Sequence, residues 1–182
     1  MSISGNFSIT RRCFFAAAGS GVAVAAARAG RPVATTADLP KAAVLSDGEA
    51  KTYLLEFHTG QEVMSALLAF ARNHNLVAGH LTGIGAISHA VIGYFDPQTK
   101  TYLRNDEPGQ AEVLSLTGNL ALYDNEPFYH VHVALGRRDG SARGGHLFEA
   151  TVRPTVEVVL TAYAKPVRRK IDPETGLPLL AP

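Results

Sequence analysis

The chain predicts an α+β fold, a largely antiparallel twisted sheet of about seven strands with one main helix. Three observations lead there. Residues 59–75 carry helical periodicity, with Val63, Leu67 and Phe70 on one stripe. Most of the chain beyond residue 75 is alternating or β-branched and apolar, interrupted by short turn clusters. Between those strands no helical pattern returns, so the repeated βαβ units of a parallel sheet are missing. Hydrophobic residues make up 46% of the chain and charged residues 18%, which suits one folded domain with a filled core and excludes a disordered tail.

The first 29 residues read as an address. Arg11-Arg12, then Phe14-Phe15 and an apolar run over 16–27 rich in Ala and Gly, resemble a twin-arginine export signal. That run of about twelve residues is too short for a membrane anchor, which needs about twenty. Residues 25–29 offer small side chains for cleavage. The expected location is periplasmic or secreted. Residues 1–29 hold Arg11, Arg12 and Arg28 and no acid, so 14 of the 17 basic and all 16 acidic residues remain in the body. A slightly acidic body argues against DNA as the natural partner. Cys13, the one cysteine, lies in the signal, so the body has neither a disulfide nor a thiolate site.

Residues 30–49, with Pro32, Pro40 and Gly48, read as a linker. Tyr53, Leu55 and Phe57 alternate through a first strand over 51–57. Thr59-Gly60-Gln61-Glu62 has the form of a capping box and places the helix start there. Residues 76–90 form a glycine-rich strand in which Gly79, Gly83 and Gly85 mark bulges or close backbone approach. A second strand comes next over 89–95, then a turn over 96–99, a short return over 100–103 and a polar connection over 104–110. Residues 112–123 are strand again, 124–127 a turn, and 155–163 a last long strand. The tail, 165–182, is expected to pack loosely on the surface. Gly83-Ile84-Gly85 lacks the third glycine and following helix of a dinucleotide site, and no phosphate loop, nucleophile elbow or His-Glu-x-x-His motif occurs.

Residues 128–151 hold three of the seven histidines. His130 and His132 flank one valine and should share a strand face. His146 joins them only if the connection has the right length. A two-residue hairpin at Asp139-Gly140 would set His132 opposite Leu147 and send His146 to the other face. An odd-length loop centred on Asp139, or a bulge at Gly144-Gly145, restores the shared face, so a simple two-residue turn is not expected. Three imidazoles so placed could hold a divalent metal, zinc first, with copper, nickel or iron open on ligand type. The alternative is a set of partly buried histidines hydrogen-bonded at a subunit interface.

Gly83-Ile84-Gly85-Ala86, Glu112-Val113-Leu114-Ser115-Leu116 followed by Gly118-Asn119, Pro127-Phe128-x-His130-x-His132, Gly144-Gly145-His146-Leu147 and Thr155-Val156-Glu157-Val158 occur in order. In this the chain resembles the plant-and-prokaryote conserved (PPC) domain over residues 50–164. The resemblance implies an antiparallel sheet with one main helix, a homotrimer, and a fold similar to acetolactate decarboxylase, whose zinc is held by an H-x-H pair and a later histidine. It departs from the plant nuclear members at Gly109-Gln110-Ala111-Glu112, where their arginine and phenylalanine are missing, and it carries no AT-hook. His80 stands where the family usually has an aliphatic residue and is expected to be a satisfied strand histidine.

These features support an exported metal-binding trimer, with a non-enzymatic trimeric ligand- or protein-binding module as the alternative and DNA binding as the weakest reading. If the protein is an enzyme, Glu149 and Glu157 are the candidate catalytic carboxylates, as general base or as anchor for a histidine nitrogen. Glu157 lies between valines, so its carboxylate should need a partner. Arg143 is the candidate for holding a small anionic or carbonyl-containing substrate.

Overall fold

The computed structural model describes residues 41–47 and 50–181. The expected export signal and residues 30–40 of the expected linker lie outside them. Residues 41–47 do not act as linker: they form strand β1 (Lys41–Asp47), paired antiparallel with β2 (Ala50–His58). Helix α1 (Val63–Asn73) comes next, then β3 (Gly79–Asp96), β4 (Thr101–Tyr123), β5 (Glu126–Gly136) and β6 (Ala142–Tyr163). A small hairpin, β7 (Arg169–Ile171) and β8 (Pro178–Leu180), ends the chain. No described helix is long and apolar enough to cross a membrane.

The main sheet runs β1-β2-β6-β3-β4-β5, all antiparallel, and curls until β5 also pairs with the start of β6. Bulges permit the curl. The β3–β4 register slips between Gly83 and Gly85 and again between Ile87 and His89, and the β4–β5 register slips between Val113 and Ser115. The glycine-marked bulge is where the sequence placed it. The expected separate strands over 76–90 and 89–95 are instead the continuous β3, bent rather than broken.

One expectation fails in β4. Residues 104–110, read as a polar connection, are strand, with 104–108 paired to residues 89–93 of β3. Their polar side chains hid them: all but Glu107 stay exposed, so no apolar alternation marks the strand. Asp106 meets His89 at 2.6 Å, and Glu107, fully buried, pairs with Arg137 and with Arg143 Nε at 3.0 Å.

The helix starts one turn later than the capping box suggested. Glu62 is itself the N-cap, its carboxylate accepting from the Met64 and Ser65 amides at 2.9 and 2.8 Å and from the Ala150 amide of β6 at 3.2 Å. Thr59 instead donates to the Pro154 carbonyl. Val63, Leu67 and Phe70 then face Tyr53, Leu55 and Phe57 of β2 and Val156, Val158 and Leu160 of β6 in one core. His74 closes the helix with its ring 4.2 Å from Phe70.

The tail is not loosely packed. The Leu122 amide donates to the Val167 carbonyl, Arg168 donates to the Asn125 side chain, and Arg169 is 7% exposed. Asp172 accepts from the amide and hydroxyl of Thr175, and Gly176 takes φ +75°, which together turn β7 into β8.

Candidate metal centre

Alternation along β5 buries Val131 and Val133 in the core and turns His130 and His132 to the opposite face. On β6, Leu147 is buried and His146 therefore points the other way. Register brings the two strands together: His132 lies directly opposite His146. The connection between Gly136 and Ala142 is five residues centred on Asp139, as the shared face requires. The Arg137 amide donates to the Ser141 carbonyl, Gly140 turns the chain with φ +81°, and Asp139 accepts from the Ser141 amide and hydroxyl. Pairing of Gly144 with Ala134 and Gly145 with Val133 is unbroken, so the loop rather than a bulge restores the face.

The site needs two close backbone approaches. A side chain at Gly118 would run into the His130 carbonyl and Val131, so only glycine lets β4 lie this near β5. At Gly93, between Arg104 on β4 and His146 on β6, a Cβ would lie 2.5 Å from the Phe148 ring. The absent side chain makes room for Phe148 and Tyr102, whose rings each stand 4.9 Å from His146 and wall it on one side.

The three imidazoles offer one nitrogen each, all within 4.8 Å of one another, and His130 Nε2 and His132 Nε2 are 3.1 Å apart. A tetrahedral ion at 2.0–2.1 Å from each ligand would ask for nitrogens about 3.3 Å apart. His146 Nδ1 is buried and has no hydrogen-bond partner. Burial first, then the neighbouring His130 and His132, then Arg104 and Arg169, hold His146 down to about 4 against an ordinary 6.5. His130 is lowered by burial, by His132 and by Arg169. Both therefore present neutral lone pairs near pH 7, the form a metal requires. On spacing, protonation and an orphaned nitrogen, the residues fit a divalent ion.

Glu149 and Glu157 are both exposed, and neither belongs to this cluster. The expectation that Glu157 needs a partner fails on alternation: Val156 and Val158 point into the core while Glu157 faces out, opposite Glu56. Arg143, expected to be a substrate arm, instead sits beside buried Glu107. His80 is a satisfied strand histidine, its Nδ1 2.8 Å from the Tyr163 hydroxyl. Sequence reasoning missed Tyr102, Arg104 and Phe148, and it missed Arg169, which reaches the site from the tail. Asp172 to Gly176, an Asp-Pro…Gly turn followed by a short apolar run, was the available signal for that hairpin.

Comparison with known proteins agrees with this fold. A metal-containing protein from Archaeoglobus fulgidus is 34% identical and superposes with TM-score 0.68, over 79% of this chain and 99% of that one. A candidate DNA-binding protein from Bacteroides thetaiotaomicron is 30% identical with TM-score 0.72, over 77% and 96%. A bifunctional GlmU protein of Synechococcus is 32% identical over 149 residues, but the chain spans only 22% of its length. The Plants and Prokaryotes Conserved (PCC) domain matches residues 45–164. With its curled antiparallel sheet, single helix and ordered motifs, the chain belongs to the PCC domain family.

Proposed function

We propose that the protein binds a divalent metal ion, zinc in the first instance, through His130, His132 and His146, as an exported homotrimer. The observation that carries the metal is the convergence of one nitrogen from each of three imidazoles within 4.8 Å, on a cluster in which His146 Nδ1 is buried without a partner. The metal-containing Archaeoglobus protein, alike over nearly its whole length, supports it. A divalent ion held there would supply Lewis-acid polarisation to a small anionic or carbonyl-containing ligand. The chain's own part is to hold His130 and His146 neutral and all three imidazoles oriented, with Tyr102 and Phe148 excluding water from one side.

Assembly is supported by the apolar side chains left outside the core, Ile84 at 59%, Leu103 at 55% and Leu114 at 54% exposed. Export rests on the paired arginines and apolar run of residues 1–29. The excess of acidic over basic residues beyond position 29 gives duplex DNA little to bind.

Metal analysis of protein purified without an affinity tag tests the central claim. Wild type should carry about one divalent ion per three-histidine site, and His132→Ala should carry almost none. Metal-free wild type after incubation with zinc would sink the reading.

A further inference from the structure

The molecule treats its buried arginines unequally. Arg137, mostly buried, and Arg143 share the carboxylate of Glu107. Arg169 is 7% exposed and pairs with no carboxylate among the described residues. Among the described residues its guanidinium donates to neutral acceptors alone, the Asn119 side-chain carbonyl and the Pro178 carbonyl, and its Nε–H is buried without a partner. A buried cation with no counter-charge is costly, and a free N–H beside it adds to the cost.

Its position says what would relieve that cost. Asn119 lies opposite His130 across β4 and β5, and Phe128, 5.1 Å beneath the guanidinium, is on the same face of β5 as His130 and His132. Arg169 thus abuts the His130 end of the cluster. At the other end Arg104 lies 3.9 Å over the Phe148 ring that touches His146. The histidine cluster contains no carboxylate. Two guanidiniums therefore flank the three imidazoles, and a divalent ion would add to an already positive site.

We propose that the histidine centre takes a small oxyanion, a carboxylate or phosphate group, and that Arg169, carried in by the C-terminal hairpin, is the residue that receives its charge. The inference rests on the metal reading above and assigns the site its ligand class. Arg169 lies beyond residue 164, where the family match ends, so this is a device of the tail. The hairpin is tied down for it: Arg168 holds the Asn125 side chain, and the Ala181 amide returns to the Arg168 carbonyl. An arriving oxyanion would accept from the Arg169 guanidinium in a charge-assisted bond, which is the strong kind.

The test uses the full chain loaded with cobalt(II), whose visible spectrum reports a change of ligand. Wild type, Arg169→Gln and Arg169→Lys are titrated in turn with acetate, inorganic phosphate and neutral imidazole. In wild type acetate, phosphate or both should shift the spectrum, and which one does so identifies the ligand's source. Arg169→Gln should weaken that anion by about tenfold while imidazole stays within about twofold, and Arg169→Lys should recover part of the loss. Anion affinity unchanged in Arg169→Gln, anion and imidazole affinities falling together, or no response to either anion in wild type would each overturn the inference while the metal reading stands. Wild type that takes up no cobalt would defeat the metal reading itself.

Discussion

Acid should destabilise the metal-free protein by way of His146, and His146→Phe should remove much of the effect. In the folded chain this imidazole stays neutral down to about pH 4, whereas in the unfolded chain it takes up a proton near 6.5. Between those values the unfolded state binds more protons, so the contribution to stability is whole above 6.5 and is lost as pH falls toward 4. The gap, from 6.5 to about 4, corresponds to about 3 kcal/mol if undiminished. The ring is only partly buried, and screening by water leaves roughly 2 kcal/mol. Phenylalanine keeps an aromatic ring against Tyr102 and Phe148 and cannot titrate. His130, lowered in the same direction, should leave a residual slope in the variant. Urea unfolding with a chelator present, at several pH values from 7.5 to 4, gives both curves. Parallel pH dependence of wild type and variant would refute the reasoning.

Three further outcomes are expected. Glu62→Ala removes a carboxylate that accepts from three backbone amides on α1 and β6; it should cost about 2–3 kcal/mol in denaturant unfolding, with Glu62→Gln regaining part. Gly118→Ala should force β4 from β5, costing about 2 kcal/mol or more and lowering metal content, read by unfolding and metal analysis together. Zinc at a hundredfold excess over its dissociation constant should stabilise wild type by about 2.7 kcal/mol, seen as a raised Tm that chelator reverses and His132→Ala abolishes.

The histidine centre was legible because it obeys a rule of parity. His130 and His132 share a face by alternation alone, and His146 joins them for any odd-length loop centred on Asp139. The sheet and helix were legible from periodicity for the same reason. What escaped is polar and partnered. Residues 104–110 do not alternate between apolar and polar, because Glu107 is buried against arginine and Asp106 is bonded to histidine. Arg169 escaped because a cationic tail reads as solvated, and only the fold shows Asn119 waiting for it. The capping box misled by one turn because Glu62 could serve either as third helical residue or as cap, and its tie to Ala150 on a distant strand decides for the cap.

The hairpin that joins β5 to β6 also constrains how this protein can change. Exposed loop tips ordinarily absorb insertions and deletions freely. Here a residue gained or lost between Gly136 and Ala142 is harmless only while those two residues still close the loop; a compensating one-residue slip of β6 along β5 would exchange His146 for one of its chain neighbours on the ligand face and swing the imidazole toward the core. Length variation at this tip among descendants of the chain should therefore leave the Gly136–Ala142 closing pair in place wherever the three histidines remain in use.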